Sequence, residues 1–179
     1  MTASNEFTLA NFLVDEGLPD SYALDAHNWF LPLIDRLEYQ LTEAASGPPA
    51  ATMVLGISGA QGTGKSTLAK LIEVVLTSRG RRIANLCMDD FYLSRAQRQR
   101  LVADIHPLLA TRGGPGTHDN ALAIATIDAL RAATDGSVIQ LPRFDKAIDD
   151  LFAVDTWPGF GGRAGVIIIE GWFLGAEPQ

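Results

Sequence analysis

The sequence predicts a three-layer α/β/α fold built on a mostly parallel sheet, and three features carry that prediction. From Thr52 onward, short unbroken apolar runs alternate with segments of helical periodicity, the pattern of strands covered on both faces. A glycine-rich turn separates the first apolar run from the first of these helices. The chain has 179 residues, 47% hydrophobic and 20% charged, which suits one domain with a full core. Its 21 acidic residues outnumber 14 basic ones, for a net charge of −7, so neither nucleic acid nor an anionic membrane is expected as a partner. The single cysteine, Cys87, and three histidines exclude a disulfide framework and a four-cysteine zinc site. No apolar run approaches the ~18–20 residues of a membrane span. The N-terminus carries acids rather than the basic start of a signal peptide, so a cytoplasmic location is expected.

Residues 1–47 read as a helical arm packed on the core and 52–179 as the α/β domain. Ser4 to Glu16 places Phe7, Phe12 and Leu13 on one helical face and stops at Gly17, a C-terminal cap residue. Ser21 to Ala45 repeats Ala26, Trp29, Phe30, Leu33, Ile34, Leu37 and Leu41 near a 3.6-residue period. Pro32 lies inside it and predicts a kink or break, and Trp29 is expected in the helix core. Ser46-Gly47-Pro48-Pro49 is a stop signal. Met53 to Ile57 reads as a buried strand, Lys65 to Arg79 as an amphipathic helix ended by Gly80, and Arg82 to Met88 as a second strand. Ser94 and Gln97 form a capping-box pattern that opens a helix to about Asp104. A glycine-rich loop over 108–119 leads into a helix from Asn120 to Ala133, and Val138 to Leu141 and Val166 to Ile169 are further strands.

Gly59-Ala60-Gln61-Gly62-Thr63-Gly64-Lys65-Ser66, followed by Thr67, fits the phosphate-binding pattern G-x-x-x-x-G-K-[ST] without a mismatch. Glycines let successive N–H groups curl inward around a polyphosphate, and the helix beginning at Lys65 adds the positive end of its dipole. Lys65 supplies charge to the phosphates, and the Ser66 hydroxyl can take one position on Mg²⁺. A strand before the loop and a helix after it are the context this motif requires. The domain is therefore expected to have the P-loop NTPase architecture.

A nucleotide site that phosphorylates a hydroxyl also needs acids. Asp89 and Asp90 follow one predicted strand, and Glu170 follows the most apolar one, Val166-Ile167-Ile168-Ile169, where ligands of open α/β sheets bind. A carboxylate directly after such a run is costly unless it ends in a polar site. In Arg112-Gly113-Gly114-Pro115-Gly116-Thr117-His118-Asp119, Arg112 and His118 could grip an anion, while Asp119 could equally cap the helix that follows. Arg143 and Lys146, in Pro142-Arg143-Phe144-Asp145-Lys146, bring positive charge to an acidic chain, as an anionic acceptor requires. Cys87, inside a strand, reads as a small buried apolar residue.

Taken in order, these segments resemble the D-glycerate 3-kinase family, a branch of the P-loop kinases related to phosphoribulokinase, uridine kinase and bacterial pantothenate kinase. The resemblance runs through Gly56 to Thr67, Asp89-Asp90-Phe91-Tyr92-Leu93, His106-Pro107-Leu108-Leu109, Arg112 to Asp119, Leu141 to Ala147 and Glu170 to Gly175. Trp29-Phe30-Leu31-Pro32 is similar to the helical arm of the bacterial members. The resemblance implies ATP and Mg²⁺ as cofactors, Lys65, Asp89 and Glu170 as catalytic residues, and Ser66 with Glu170 as metal ligands. Asp89 matches the base toward the acceptor hydroxyl. Asp90, Tyr92, Arg112, His118, Asp119, Arg143 and Lys146 would shape an acceptor pocket, most readily for D-glycerate going to 3-phosphoglycerate. One departure is Leu151, where a basic residue is expected. A second is that the sequence stops nine residues after Glu170, so it reads as the N-terminal part of a kinase. Its lid and last strands would be absent, and its P-loop strand would be left at a sheet edge. The alternatives are a kinase of this architecture with another acceptor, such as a nucleoside or pantothenate, and a nucleotide-binding regulatory module without transfer activity.

Overall fold

The computed structural model describes residues 8–45 and 52–175. Its centre is a parallel sheet of three strands in the order β1-β7-β2, with β1 at Met53–Ser58, β2 at Ile83–Cys87 and β7 at Val166–Gly171. Met53 lies opposite Val166 and Ser58 opposite Gly171. On the other side Ile83 lies opposite Val166 and Cys87 opposite Glu170. Alternation along β7 divides the core. Val166 and Ile168 face a cluster with Leu71, Ile72, Val75 and Leu76 of helix α4 (Lys65–Ser78). Ile167 faces the opposite cluster with Leu130 of helix α6 (Asn120–Ala132), because successive strand side chains point to opposite faces. Ile167 and Ile168 are both 0% exposed, each contributing ~1.5–3 kcal/mol of apolar transfer. β1 is hydrogen-bonded to β7 alone among the described residues, which makes it an edge strand.

The N-terminal segment packs on the α4 side. Helix α1 (Leu9–Asp15) is capped by Thr8, whose side chain accepts from the Asn11 N–H, and Gly17 past its end adopts φ 62. Where one helix is expected over 21–45, the chain forms a short α2 (Tyr22–Asp25), a π-helical turn (Ala26–Phe30) and α3 (Leu31–Ala45). The irregularity lies just before Pro32, whose missing N–H and bulky ring disrupt regular α-helical bonding to the preceding turn. The wider turn rotates the side chains out of phase, and Trp29, expected in the core, is 68% exposed. Ala26, Ile34 and Leu41 are buried instead. Arg79 on the α4 cap bridges Asp35 at 2.8 Å and Glu38 at 2.6 Å on α3. Such partly exposed pairs orient the helices more than they hold them. The stop signal at 46–49 lies outside the described residues.

One strand differs in place from the expectation. Val138–Gln140 forms β3, but it pairs antiparallel with β6 (Gly159–Gly161) in a separate two-stranded sheet and does not join the central one. A third small sheet pairs β4 (Phe144–Asp145) with β5 (Asp150–Leu151). Helix α5 (Arg95–Asp104) opens on the expected capping box, with both reciprocal Ser94–Gln97 bonds formed. No helix among the described residues is long and apolar enough to cross a membrane.

Candidate active site

At the end of β1 the chain turns through residues 59–64 into α4. Gly62 (φ 78) and Gly64 (φ 84) adopt left-handed conformations that cost an L side chain ~1–2 kcal/mol. Gly64 directly precedes α4 and no side chain caps the helix, so first-turn N–H groups are left for an anion. The Lys65 ammonium donates to the Ala60 carbonyl at 3.0 Å and the Thr63 hydroxyl to the same oxygen at 2.8 Å, holding the loop in its curl.

Glu170 has the same strand parity as Val166 and Ile168, so it projects toward α4. There the Ser66 hydroxyl, in the first turn, donates to Glu170 Oε1 at 2.8 Å. Glu170 is only 6% exposed. Cys87 lies opposite it in register; burial first, and the neighbouring Glu170 carboxylate second, push the Cys87 thiol up to about 12. The thiol is thus protonated at neutral pH, and Cys87 is half-buried at the site rather than a core residue.

Asp89 and Asp90 sit on a 3-10 turn (Met88–Phe91) directly after β2 and face different ways. Asp89 Oδ2 accepts from Lys146 Nζ at 2.7 Å and Oδ1 from the Tyr92 hydroxyl at 2.9 Å. Burial works to raise its pKa, but these two bonds and the Lys146 charge hold the carboxyl below its usual value. Lys146 is pushed up in turn, chiefly by its bond to Asp89. Tyr92 is also pushed up, by burial and then by Asp89, so it remains a donor.

These groups line one cavity of about 640 Å³. It is lined by Ala60, Gln61, Gly62, Lys65 and Ser66 of the glycine-rich loop and first helical turn, by Cys87 and Glu170 at the strand ends, and by Asp89, Tyr92, Arg112 and Lys146. Trp172 closes one side by donating from Nε1 to the Gly113 carbonyl at 3.0 Å. Gly59, Thr63, Gly64 and Thr67 shape the loop and first turn without lining the cavity.

Four expected acceptor residues are not on its wall. Arg143 Nη1 donates to Asp90 Oδ2 at 2.6 Å, and the Phe144 N–H donates to Asp90 Oδ1 at 3.1 Å. Asp90 thus ties Arg143 and the start of β4 to the turn after β2, and neither Asp90 nor Arg143 lines the cavity. Asp119 caps α6, accepting from the Leu122 N–H at 2.8 Å. His118 is buried behind Tyr92 (ring centroids 4.3 Å apart), against Phe173 at 5.4 Å, and neither ring nitrogen has a hydrogen-bond partner among the described residues. Burial outweighs the pull of Asp89 and lowers its pKa, so the ring is neutral. Conversely, sequence reasoning missed Asp149 and Arg98, which hold Arg112 in place. The one signal available was Arg98, a charged residue on a short polar helix with nothing in its spacing to name a partner.

No family model matches the chain. It is 30% identical over 164 residues to the chloroplastic D-glycerate 3-kinase of Arabidopsis thaliana, covering 85% of this chain and 36% of that protein. It is also 30% identical over 161 residues to the uncharacterized kinase mug58 of Schizosaccharomyces pombe, covering 82% and 54%. Among solved structures, a D-glycerate 3-kinase from Cryptococcus neoformans superposes with a TM-score of 0.72 at 27% identity, covering 85% of this chain and 55% of the other. The chain thus spans between a third and about half of these proteins.

Proposed function

Because this chain is related, in sequence and in fold, to the P-loop kinases that include D-glycerate 3-kinase, we propose that its protein transfers the γ-phosphoryl group of ATP to a hydroxyl of a small anionic metabolite, D-glycerate first. The observation that supports this best is the shared cavity: an ionised carboxylate, Asp89, and two cations, Lys146 and Arg112, line the same cavity as the P-loop residues.

Lys65 and the loop amides take the phosphates. The Ser66 hydroxyl and Glu170 carboxylate, hydrogen-bonded to each other at 2.8 Å, are an all-oxygen pair that suits Mg²⁺ and would hold it; there it would supply neutralisation of phosphate charge. The acceptor hydroxyl oxygen attacks the γ-phosphorus, the bond from that phosphorus to the bridging oxygen breaks, and ADP leaves. Asp89 receives the hydroxyl proton. Tyr92 and Lys146 fix the orientation of its carboxylate, and most of the acceleration comes from positioning and charge stabilisation.

The test is ADP release from Mg-ATP that depends on D-glycerate, measured in the full-length protein. Asp89→Asn is expected to lower the rate by about 10²–10⁴-fold, and Lys65→Ala to abolish it. Near-wild-type turnover of Asp89→Asn overturns the base assignment. ATP binding without transfer to any acceptor in a panel that includes nucleosides and pantothenate overturns the kinase reading.

A further inference from the structure

Arg98 is fully buried, at 0% exposure, on a helix with no other buried side chain. Its guanidinium gathers three segments: Nη1 donates to the Leu93 carbonyl at 2.6 Å, Nε to the Ala110 carbonyl at 3.3 Å, and Nη2 to the Asp149 carbonyl at 3.2 Å. Nη2 also meets Asp149 Oδ2 at 2.5 Å, while the other carboxylate oxygen, Oδ1, accepts from Arg112 Nη1 at 2.5 Å. Both guanidinium groups lie over the Phe144 ring, 5.8 and 5.7 Å from its centroid. Asp149 achieves this at φ 60, the one non-glycine residue with positive φ among the described residues. Such a conformation persists where its surroundings hold it, and here Arg98 grips both its carbonyl and its carboxylate.

The charges do not cancel. Two cations share one anion, so the group carries a surplus positive charge, and Arg112 is its member that reaches the cavity. Lys146 is matched by Asp89 and Arg143 by Asp90. A guanidinium has five donors, and Asp149 is the only hydrogen-bond partner of the Arg112 side chain among the described residues.

We propose that Asp149 is a positioning residue for acceptor recognition: with its own charge answered by buried Arg98, it holds the Arg112 guanidinium at the cavity wall so that the remaining donors grip the anionic group of the acceptor. The inference rests on the reading of the acceptor as a small anionic hydroxy compound. Arg112 touches the substrate, and Asp149 acts through it.

The experiment is steady-state kinetics of the full-length protein with D-glycerate and ATP. Asp149→Asn keeps the shape, and asparagine tolerates positive φ; it removes the charge and turns one of the two oxygens that accept from Arg98 and Arg112 into a donor. It is expected to raise KM for D-glycerate about tenfold or more, the scale of a lost charge-assisted hydrogen bond, while kcat and KM for ATP move less than about threefold. In an Arg112→Ala background the same change should add nothing to KM, which a merely structural role would not produce. Because Asp149→Asn strips a buried cation of its counter-charge, Arg98→Met combined with Asp149→Asn supplies a second arm without that imbalance, and the same rise is expected. An unchanged KM for D-glycerate in both variants, or a further rise in the Arg112→Ala background, overturns the positioning role while leaving the kinase reading intact. A wild type that phosphorylates only uncharged acceptors, or none, overturns the acceptor reading and the Arg112 assignment with it.

Discussion

Asp89 and Lys146 show how much of the site depends on single contacts. The carboxyl of Asp89 is held below its usual value against the opposing effect of burial, so it is ionised throughout the neutral range. If it is the base, the acid limb of kcat/KM lies below the ordinary carboxylate pKa of about 4. Removing the neighbouring cation withdraws support from the charged form, so Lys146→Gln should move that limb to higher pH. A pH–rate profile of the two proteins checks it, and a limb that stays in place removes Lys146 from the account. At this scale the sequence was legible where chemistry imposes a spacing. That Lys65, Ser66, Asp89 and Glu170 line one cavity was legible because a phosphate-loop pattern dictates its own residues and because acids after apolar strands need a reason. Asp149 carries no such mark. Its partners stand 51 and 37 residues away, and nothing along the chain announces a carboxylate shared between two guanidinium groups. Asp119 takes the capping role its position allowed from the start, and Arg143 pairs with Asp90: a charge in a loop serves as readily to fasten the loop as to bind a ligand.

Among the elements, those with a long apolar period were legible and those set by backbone exchange were not. β1, α4, β2 and β7 follow from runs of apolar residues at the expected spacing. β4 and β5 have two residues each, too few for any period to register, and β6 is a strand because β3 lies beside it. The π-helical turn before Pro32 displaced Trp29 from the stripe because an i→i+5 turn changes the angular phase of everything on it. Helix α5 owes its existence to its cap rather than to a hydrophobic face. Ser94→Ala should cost about 1 kcal/mol of stability, read as a lower denaturation midpoint with an unchanged slope. A loss well under ~0.5 kcal/mol would mean that Arg98 and its bonds suffice to hold the helix.

For the molecule as a whole, β1 is the exposed side of the central sheet. Its residues alternate between half-buried and exposed, Val54 among the exposed, and its outer edge has no partner among the described residues. An open apolar edge invites pairing with another chain. The 179-residue chain is expected to self-associate with concentration, and Val54→Lys to reduce that association in sedimentation velocity; equal association of the two proteins would exclude the edge. The strand order has a second consequence, in time rather than in space. β1 and β2 are separated by β7, whose first residue, Val166, pairs with both Met53 and Ile83. A ribosome adding about 5–20 residues per second therefore releases the two outer strands many seconds before the strand that joins them. Until then neither strand has its neighbour, Ser66 has no Glu170, and the glycine-rich loop over 59–64 hangs from an unpaired segment. Contacts of this sequence separation are slow to form, so the nascent chain passes through an interval in which its most apolar segments await one another, and any helper that shields them acts before β7 emerges.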